Sequence, residues 1–286
     1  MPERWLVVSN CQTFGLTNCI QALARNVEAD ACDYHAFARA ISVQPDQFAH
    51  YDLALILYAG IQHPAFRAEC FRRHRMIPIL EFGGYHPDCC YVYADGALIN
   101  DSIIGPYQSL IVFAAYLEGL DAAAATQWFR SDVYERVGYF DQWLAQRDLI
   151  VNGCAELGFD VLPMFRGPGR GRAFMHTFDH PNIAALSELA RAILRSEKQP
   201  MFDHVPPPPD ALAETWWPVY PEIGEQVGVC GSYLFKPLKV HKPIELADYV
   251  ERSLASFARW PAERLNCQPA VAARLEALRL MMREGR

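Results

Sequence analysis

The sequence predicts an α/β fold, with a parallel sheet in an N-terminal core and a large, mainly helical remainder. Over about the first hundred residues, short apolar runs alternate with segments of helical spacing. Those runs are apolar at nearly every position, as strands covered by helices on both faces require. From about Ile103 onward, helical periodicity takes over for most of the chain.

The elements follow in order. Trp5 to Ser9 is a short apolar run that reads as the first strand, and Leu16, Ile20 and Leu23 give helical spacing up to Arg25. Val27 to Tyr34 is a second candidate strand. YDLALILY (Tyr51 to Tyr58) and MIPILEF (Met76 to Phe82) are the third and fourth. SLIVFAAYLEGL, DAAAATQWF and VYERVGYFDQWLAQRDLIVNGCAEL read as helices separated by Gly, Asp or Ser stops. A glycine- and arginine-rich loop, MFRGPGRGRAF, leads to HTFDHPN and then to a helix with Ile183, Leu186, Leu189 and Ile193 on one stripe. Pro181 suits the first position of that helix, which makes Asp179 or His180 its cap. VPPPPD (Val205 to Asp210) is extended connector. Two amphipathic helices close the chain, the second with Val271, Leu275, Leu278 and Met282 in line. The expected division is a sheet core over 1–105, a helical region over 106–204, and a connector with C-terminal helices over 205–286, packed as one unit.

With 286 residues, 51% of them hydrophobic and 21% charged, the chain has the composition of an ordinary globular protein. Lys plus Arg number 26 against 33 Asp plus Glu, a net charge of −7 that gives no global reason to bind nucleic acid. The nine cysteines lack repeated CxxC spacing and read as free thiols in a reducing cytoplasm. Met1-Pro2-Glu3-Arg4-Trp5 carries no leader pattern, and no apolar run reaches transmembrane length. No ligand spacing for a metal is present.

Cys11 stands between Asn10 and Gln12 where the first strand turns into the first helix. A parallel sheet gathers ligands beyond the carboxyl ends of its strands. A thiol there meets the positive end of a helix, which favours thiolate, and free N–H groups that can hold an oxyanion. Asn10 and Gln12 add side-chain donors; the alternative is a small residue packed under the helix. His180, at a helix N-terminus, is expected to be held neutral and able to act as a base, with Asp179 beside it to orient the ring. It could equally be only a cap. His86 follows MIPILEF through Gly83 and Gly84, and the flexible Gly84 would let backbone N–H groups approach a ligand; a plain turn histidine is the other reading, as it is for His63. Arg166, Arg170 and Arg172, or Lys236, Lys239 and Lys242, are basic clusters that could hold phosphates or lie on a solvated surface.

SNCQ after the first strand, YDLALIL, FGGYHPD, GPYQSLIVFAAYLEGL, TFDHPN and YPEIGEQVG followed by LFKP resemble the WcbI family of capsular polysaccharide biosynthesis enzymes. That resemblance implies coenzyme A binding, with acetyl-CoA as co-substrate, acetyltransferase activity and a sugar or polysaccharide-precursor acceptor. The family looks distantly similar to SGNH hydrolases, which implies an SGNH- or flavodoxin-like core with Cys11 at the nucleophile position. His180 matches the base only loosely, because Thr177 stands where those hydrolases carry an aspartate. The alternatives are a thioesterase or carbohydrate esterase of the same architecture, and a non-catalytic coenzyme A- or sugar-binding protein.

Overall fold

The computed structural model describes residues 1–165 and 172–285. Its contacts form two compact units interleaved along the chain. The first comprises Met1–Glu81, Arg147–Pro168 and Asp179–Ala213; the second comprises Phe82–Gln146, Gly169–Phe178 and Glu214–Arg286. These boundaries cut across the division expected from sequence, because the segment 106–204 contributes to both units.

The first unit is built on four parallel strands, β1 (Glu3–Ser9), β2 (Val27–Asp33), β3 (Leu53–Leu57) and β4 (His74–Ile77), in the order β2-β1-β3-β4. β1 pairs with β2 on one side and β3 on the other, and Trp5 to Val8 are buried throughout, as an inner strand requires. Helix α1 (Thr13–Leu23) packs against the helix Ile183–Ser196. The approach is close at Gly15, where a Cβ would lie 2.6 Å from Leu186 Cδ1. On another part of the sheet, α2 (Tyr34–Val43) lays Phe37 and Ile41 onto Leu6, Val8, Ala54 and Ile56. Asp33 caps that helix by accepting from the N–H groups of His35 (2.9 Å) and Ala36 (3.3 Å). The fourth strand is shorter than MIPILEF suggests. It ends at Ile77, and Pro78 has no N–H with which to continue the ladder.

The second unit carries antiparallel strands that the sequence did not announce. β5 (Cys89–Ala94) pairs with β6 (Ala97–Leu98), with β7 (Tyr107–Ser109) and with β10 (Leu265–Cys267), while β8 (Leu234–Phe235) and β9 (Ile244–Glu245) form a separate hairpin. The helix Leu110–Leu117 starts at Ser109, whose hydroxyl accepts from Val112 N–H at 3.1 Å, and the helices Leu246–Phe257 and Ala272–Glu284 pack on it. The long helix expected from VYERVGYFDQWLAQ is broken into Ser131–Arg136 and Gln142–Glu156, with Gly138 between them at φ +71°.

Glu118, at the end of Leu110–Leu117, receives Arg283 at 2.7 and 2.9 Å and Arg279 at 2.7 Å. Arg283 and then Arg279 hold its carboxyl down, from an ordinary 4.5 to about 2. A carboxyl held low in the native state stabilises the fold above its ordinary value, and the contribution is lost as pH falls toward the folded value. Glu118→Gln is expected to cost about 1–2 kcal/mol at neutral pH, allowing for the half-exposed Arg283. It should also flatten the acid side of the stability profile. Melting curves of both proteins from neutral to strongly acidic pH test this, and parallel acid limbs would contradict it.

Candidate functional site

β1 ends at Ser9, and the chain turns through Asn10, Cys11 and Gln12 into α1. Asn10 builds the turn. Its Oδ1 accepts from Gln12 N–H at 3.1 Å, and its carbonyl accepts from the Thr13 N–H at 3.0 Å and hydroxyl at 2.7 Å. Thr13 Oγ1 in turn accepts from Ser9 N–H at 3.1 Å. This bonded turn presents Cys11, an exposed residue, at the carboxyl edge of the sheet. The position is the place where the strand order reverses, with β2 on one side of β1 and β3 on the other.

Gln12 has a different task from the one its sequence position suggests. It is 1% exposed, and its Nε2 donates to the carbonyls of Leu80 (2.9 Å) and Asp179 (3.1 Å), while its Oε1 accepts from Leu80 N–H (3.1 Å). The carboxamide is therefore committed to backbone and has no donor left for an oxyanion. What it does is tie two distant segments to the Cys11 turn. One is the chain after β4, which carries Glu81; the other carries Asp179 and His180.

The result is a thiol close to two carboxylates. Partial loss of solvation at the sulfur raises the Cys11 thiol, and the charges of Asp179 and then Glu81 add to this, pushing its pKa up to about 11. Backbone N–H groups of Cys11 and Gln12 pull in the opposite direction and lose. The expectation of a thiolate favoured by the helix N-terminus is thereby overturned: at neutral pH Cys11 is a thiol. Glu81 is itself shifted upward, by loss of solvation and by Asp179. Glu81 is the site residue that sequence reasoning missed. Its signal was the single charge at the end of MIPILEF, where the strand's carboxyl edge should lie.

His180 is half-buried in the same unit and adjoins Asp179. It is not the helix cap. Asn182 caps the helix Ile183–Ser196 by accepting from Ala185 N–H at 3.0 Å, and Asp210 accepts from Ile183 N–H at 3.0 Å. An asparagine at this position is a strong cap, so the helix starts two residues later than Pro181 suggested. Any influence of its dipole on His180 is correspondingly weaker.

Other candidates fall elsewhere. His86 and Gly84 belong to the second unit, because the chain leaves the parallel sheet at Ile77. His86 is 1% exposed, and burial, reinforced by His176, drives its pKa down to about 3, so it stays neutral. Gly84 serves a close approach: a Cβ there would lie 2.5 Å from the Phe82 ring and 2.7 Å from Trp143 Cα. His63 Nδ1 accepts from Ala65 N–H at 3.2 Å, a turn contact. Arg166 and Arg170 lie outside the described residues, and Arg172 is exposed. Lys236, Lys239 and Lys242 lie on the β8–β9 hairpin segment of the second unit. A cavity of about 620 Å³ opens at the opposite, amino edge of the parallel sheet, lined by Glu3, Arg25, Glu28 and Gln199 among others. It brings no nucleophile to its walls. Among the described residues no cluster of three or more His, Cys, Asp or Glu is placed to hold a metal, and no helix is long and apolar enough to cross a membrane.

Fold and site define an α/β protein that presents a cysteine and two carboxylates beyond the carboxyl edge of a parallel sheet. The model of the family described as "Polysaccharide biosynthesis enzyme WcbI" matches residues 4–198, and the chain belongs to that family. A solved structure described as WcbI, a novel polysaccharide biosynthesis enzyme, in its native form without a disulfide bond between coenzyme A and one of its cysteines, is similar over 99% of each chain. The two share 15% sequence identity and superpose with a TM-score of 0.69, a likeness of fold. No curated protein matches the chain.

Proposed function

We propose that this chain is an acyl-CoA-dependent O-acyltransferase that moves an acetyl group onto a sugar hydroxyl of a polysaccharide precursor. The observation that carries this reading is the exposed Cys11 at the carboxyl edge of the sheet, with the charges of Asp179 and Glu81 acting on it and Gln12 tying the segments that carry them to its turn. Membership of a polysaccharide biosynthesis family supports the sugar acceptor. The coenzyme A named for the similar structure supports the donor.

Two routes fit the residues, and the raised thiol pKa separates them. A covalent route needs Cys11 to lose its proton and then attack the thioester, which a value of about 11 opposes at neutral pH. In the direct route the sugar hydroxyl attacks the thioester carbonyl while His180 takes the hydroxyl proton, and that proton then goes to the departing sulfur. N–H groups at the start of α1 stabilise the oxyanion, and Cys11 lines the channel for the thiol end of the donor. Asp179, next to His180, favours the imidazolium that forms. The raised thiol value favours the direct route.

His180→Ala is expected to lower acetyl transfer by about 10²–10⁴-fold while acetyl-CoA still raises the melting temperature. Cys11→Ala should lower it by no more than about tenfold, the effect of a lost packing contact. Transfer of labelled acetyl groups to a panel of sugars and sugar nucleotides measures both. Loss of all turnover in Cys11→Ala restores the covalent route, and rapid coenzyme A release without any sugar makes the protein a thioesterase instead. If acetyl-CoA neither shifts the melting temperature nor labels any acceptor, the reading fails.

A further inference from the structure

The β8–β9 hairpin of the second unit combines two features that rarely share a surface. It is rooted by Phe235, which is 0% exposed and stacks on Tyr249 with ring centroids 3.9 Å apart. Beyond that root, every residue from Leu238 to Pro243 is exposed. Leu238 and Val240 alternate there with Lys239, His241 and Lys242, and the left-handed Lys239 (φ +59°) bends the tip. Trp216 runs beside the hairpin as an antiparallel bridge partner of Lys236 and is 51% exposed; Leu234 is exposed as well.

The charge of this segment is opposite to that of the protein. The whole chain carries −7, yet no Asp or Glu occurs from Gln226 to Ile244, and three lysines and a histidine do. Glu214 and Glu245 flank the tip without entering it. Lys236 rests on the Glu214 carbonyl, which leaves Lys239 and Lys242 at the tip. Among the described residues neither is ion-paired to a carboxylate.

We infer that this hairpin is a docking surface for an anionic lipid bilayer. A phosphate group is the shared chemistry of a lipid headgroup and a soluble phosphate ester, and both would be drawn to the lysines. Only a bilayer uses the apolar residues as well. Lysines meet the headgroup charge, a tryptophan settles at the headgroup level, and leucine and valine side chains enter the acyl boundary. Against a soluble phosphate, Trp216, Leu238 and Val240 would stay in water with nothing to cover them. The surface is a rooted hairpin tip and contains no spanning element, so it predicts reversible binding that weakens with salt.

Co-sedimentation of the full chain with sucrose-loaded vesicles tests the inference, comparing phosphatidylcholine alone with phosphatidylcholine containing a third of phosphatidylglycerol. The protein is expected to pellet with the anionic vesicles, to be released by high salt, and to show a blue shift of tryptophan emission on binding. Lys239→Glu combined with Lys242→Glu should weaken binding by more than tenfold, on the order of what two reversed charges imply. Trp216→Ser combined with Leu238→Ser should weaken it comparably at low salt. All four positions are exposed, so far-ultraviolet circular dichroism should be unchanged. The melting shift given by coenzyme A is expected to survive the lysine reversal. No binding to anionic vesicles, or binding that ignores both variants, overturns the inference. Loss of the coenzyme A shift with vesicle binding intact also overturns it and assigns the lysines to a soluble phosphate.

Discussion

Cys11 is expected to react with iodoacetamide at neutral pH about ten times more slowly than an ordinary free thiol, despite its exposure, and Asp179→Asn should recover part of the difference. The Cys11 thiol is pushed up from an ordinary 9.0 to about 11. The reactive thiolate is then rarer by a factor of roughly 100. A more basic thiolate is also a better nucleophile, which returns just under tenfold of that. The net slowing is therefore on the order of tenfold, large enough to measure from the labelling of the Cys11 peptide after digestion. Asp179 is the larger of the two charges that raise the value, with Glu81 behind it. Gln12 holds the Asp179 segment by its backbone carbonyl, so Asp179→Asn removes the charge and leaves the anchor in place. Glu81→Gln should move the rate in the same direction by less. A Cys11 that alkylates at the rate of an ordinary free thiol, or that slows when Asp179 loses its charge, would remove the ground for preferring direct transfer over an acyl-cysteine.

The parallel sheet was legible because its strands obey local rules. Trp5 to Ser9 and the LALIL of YDLALILY, Leu53 to Leu57, are buried throughout, and their composition says so without knowledge of their partners. The apolar stripe of the last helix was equally plain, and Val271, Leu275, Leu278 and Met282 are all buried. What could not be read was non-local. β5 is completed by β10 from the far end of the chain, and neither carries more than a few residues of pattern. The two units cannot be inferred either, since their boundaries depend on which distant segments meet. At the site, the position of Cys11 followed from the strand–turn–helix pattern, but its protonation did not. That is set by loss of solvation at the sulfur and by carboxylates about seventy and almost 170 residues away, whose segments a buried glutamine fastens to the turn. His180 shows a smaller failure of the same kind. A nearby proline invited a cap assignment, and Asn182 was the better cap.

Asp88→Ala is expected to be the most damaging single substitution in the second unit, costing about 3–5 kcal/mol. Asp88 is 0% exposed. Its Oδ1 accepts from Ile111 N–H (2.9 Å) and the Tyr139 hydroxyl (2.8 Å), its Oδ2 accepts from the Tyr220 hydroxyl (2.6 Å), and its carbonyl accepts from Leu110 N–H (2.8 Å). One side chain thus secures the start of the helix Leu110–Leu117, the chain after Ser131–Arg136 and the entry to the helix Pro221–Val227. Truncating it strands two buried hydroxyls and a buried N–H with no way back to water. Tyr220→Phe removes one donor and keeps the ring, so it should cost only about 1 kcal/mol. Burial raises the Asp88 carboxyl above its ordinary range even against the bonds from Ser109, Tyr220, Ile111 and Tyr139. A carboxyl with a raised native pKa holds its proton more tightly when folded. Its contribution is therefore full below the unfolded value and declines as pH rises through the native one. The stability gap between the wild type and Asp88→Ala should accordingly be wider at mildly acidic pH than at alkaline pH. Five of the six tryptophans (Trp128, Trp143, Trp216, Trp217 and Trp260) belong to this unit, so tryptophan emission during urea unfolding reports on it directly. A drop in melting temperature of about 10 °C is the expected scale, and a variant within about 1 kcal/mol of the wild type would show that the tyrosines have partners of their own and that Asp88 is not what joins these segments.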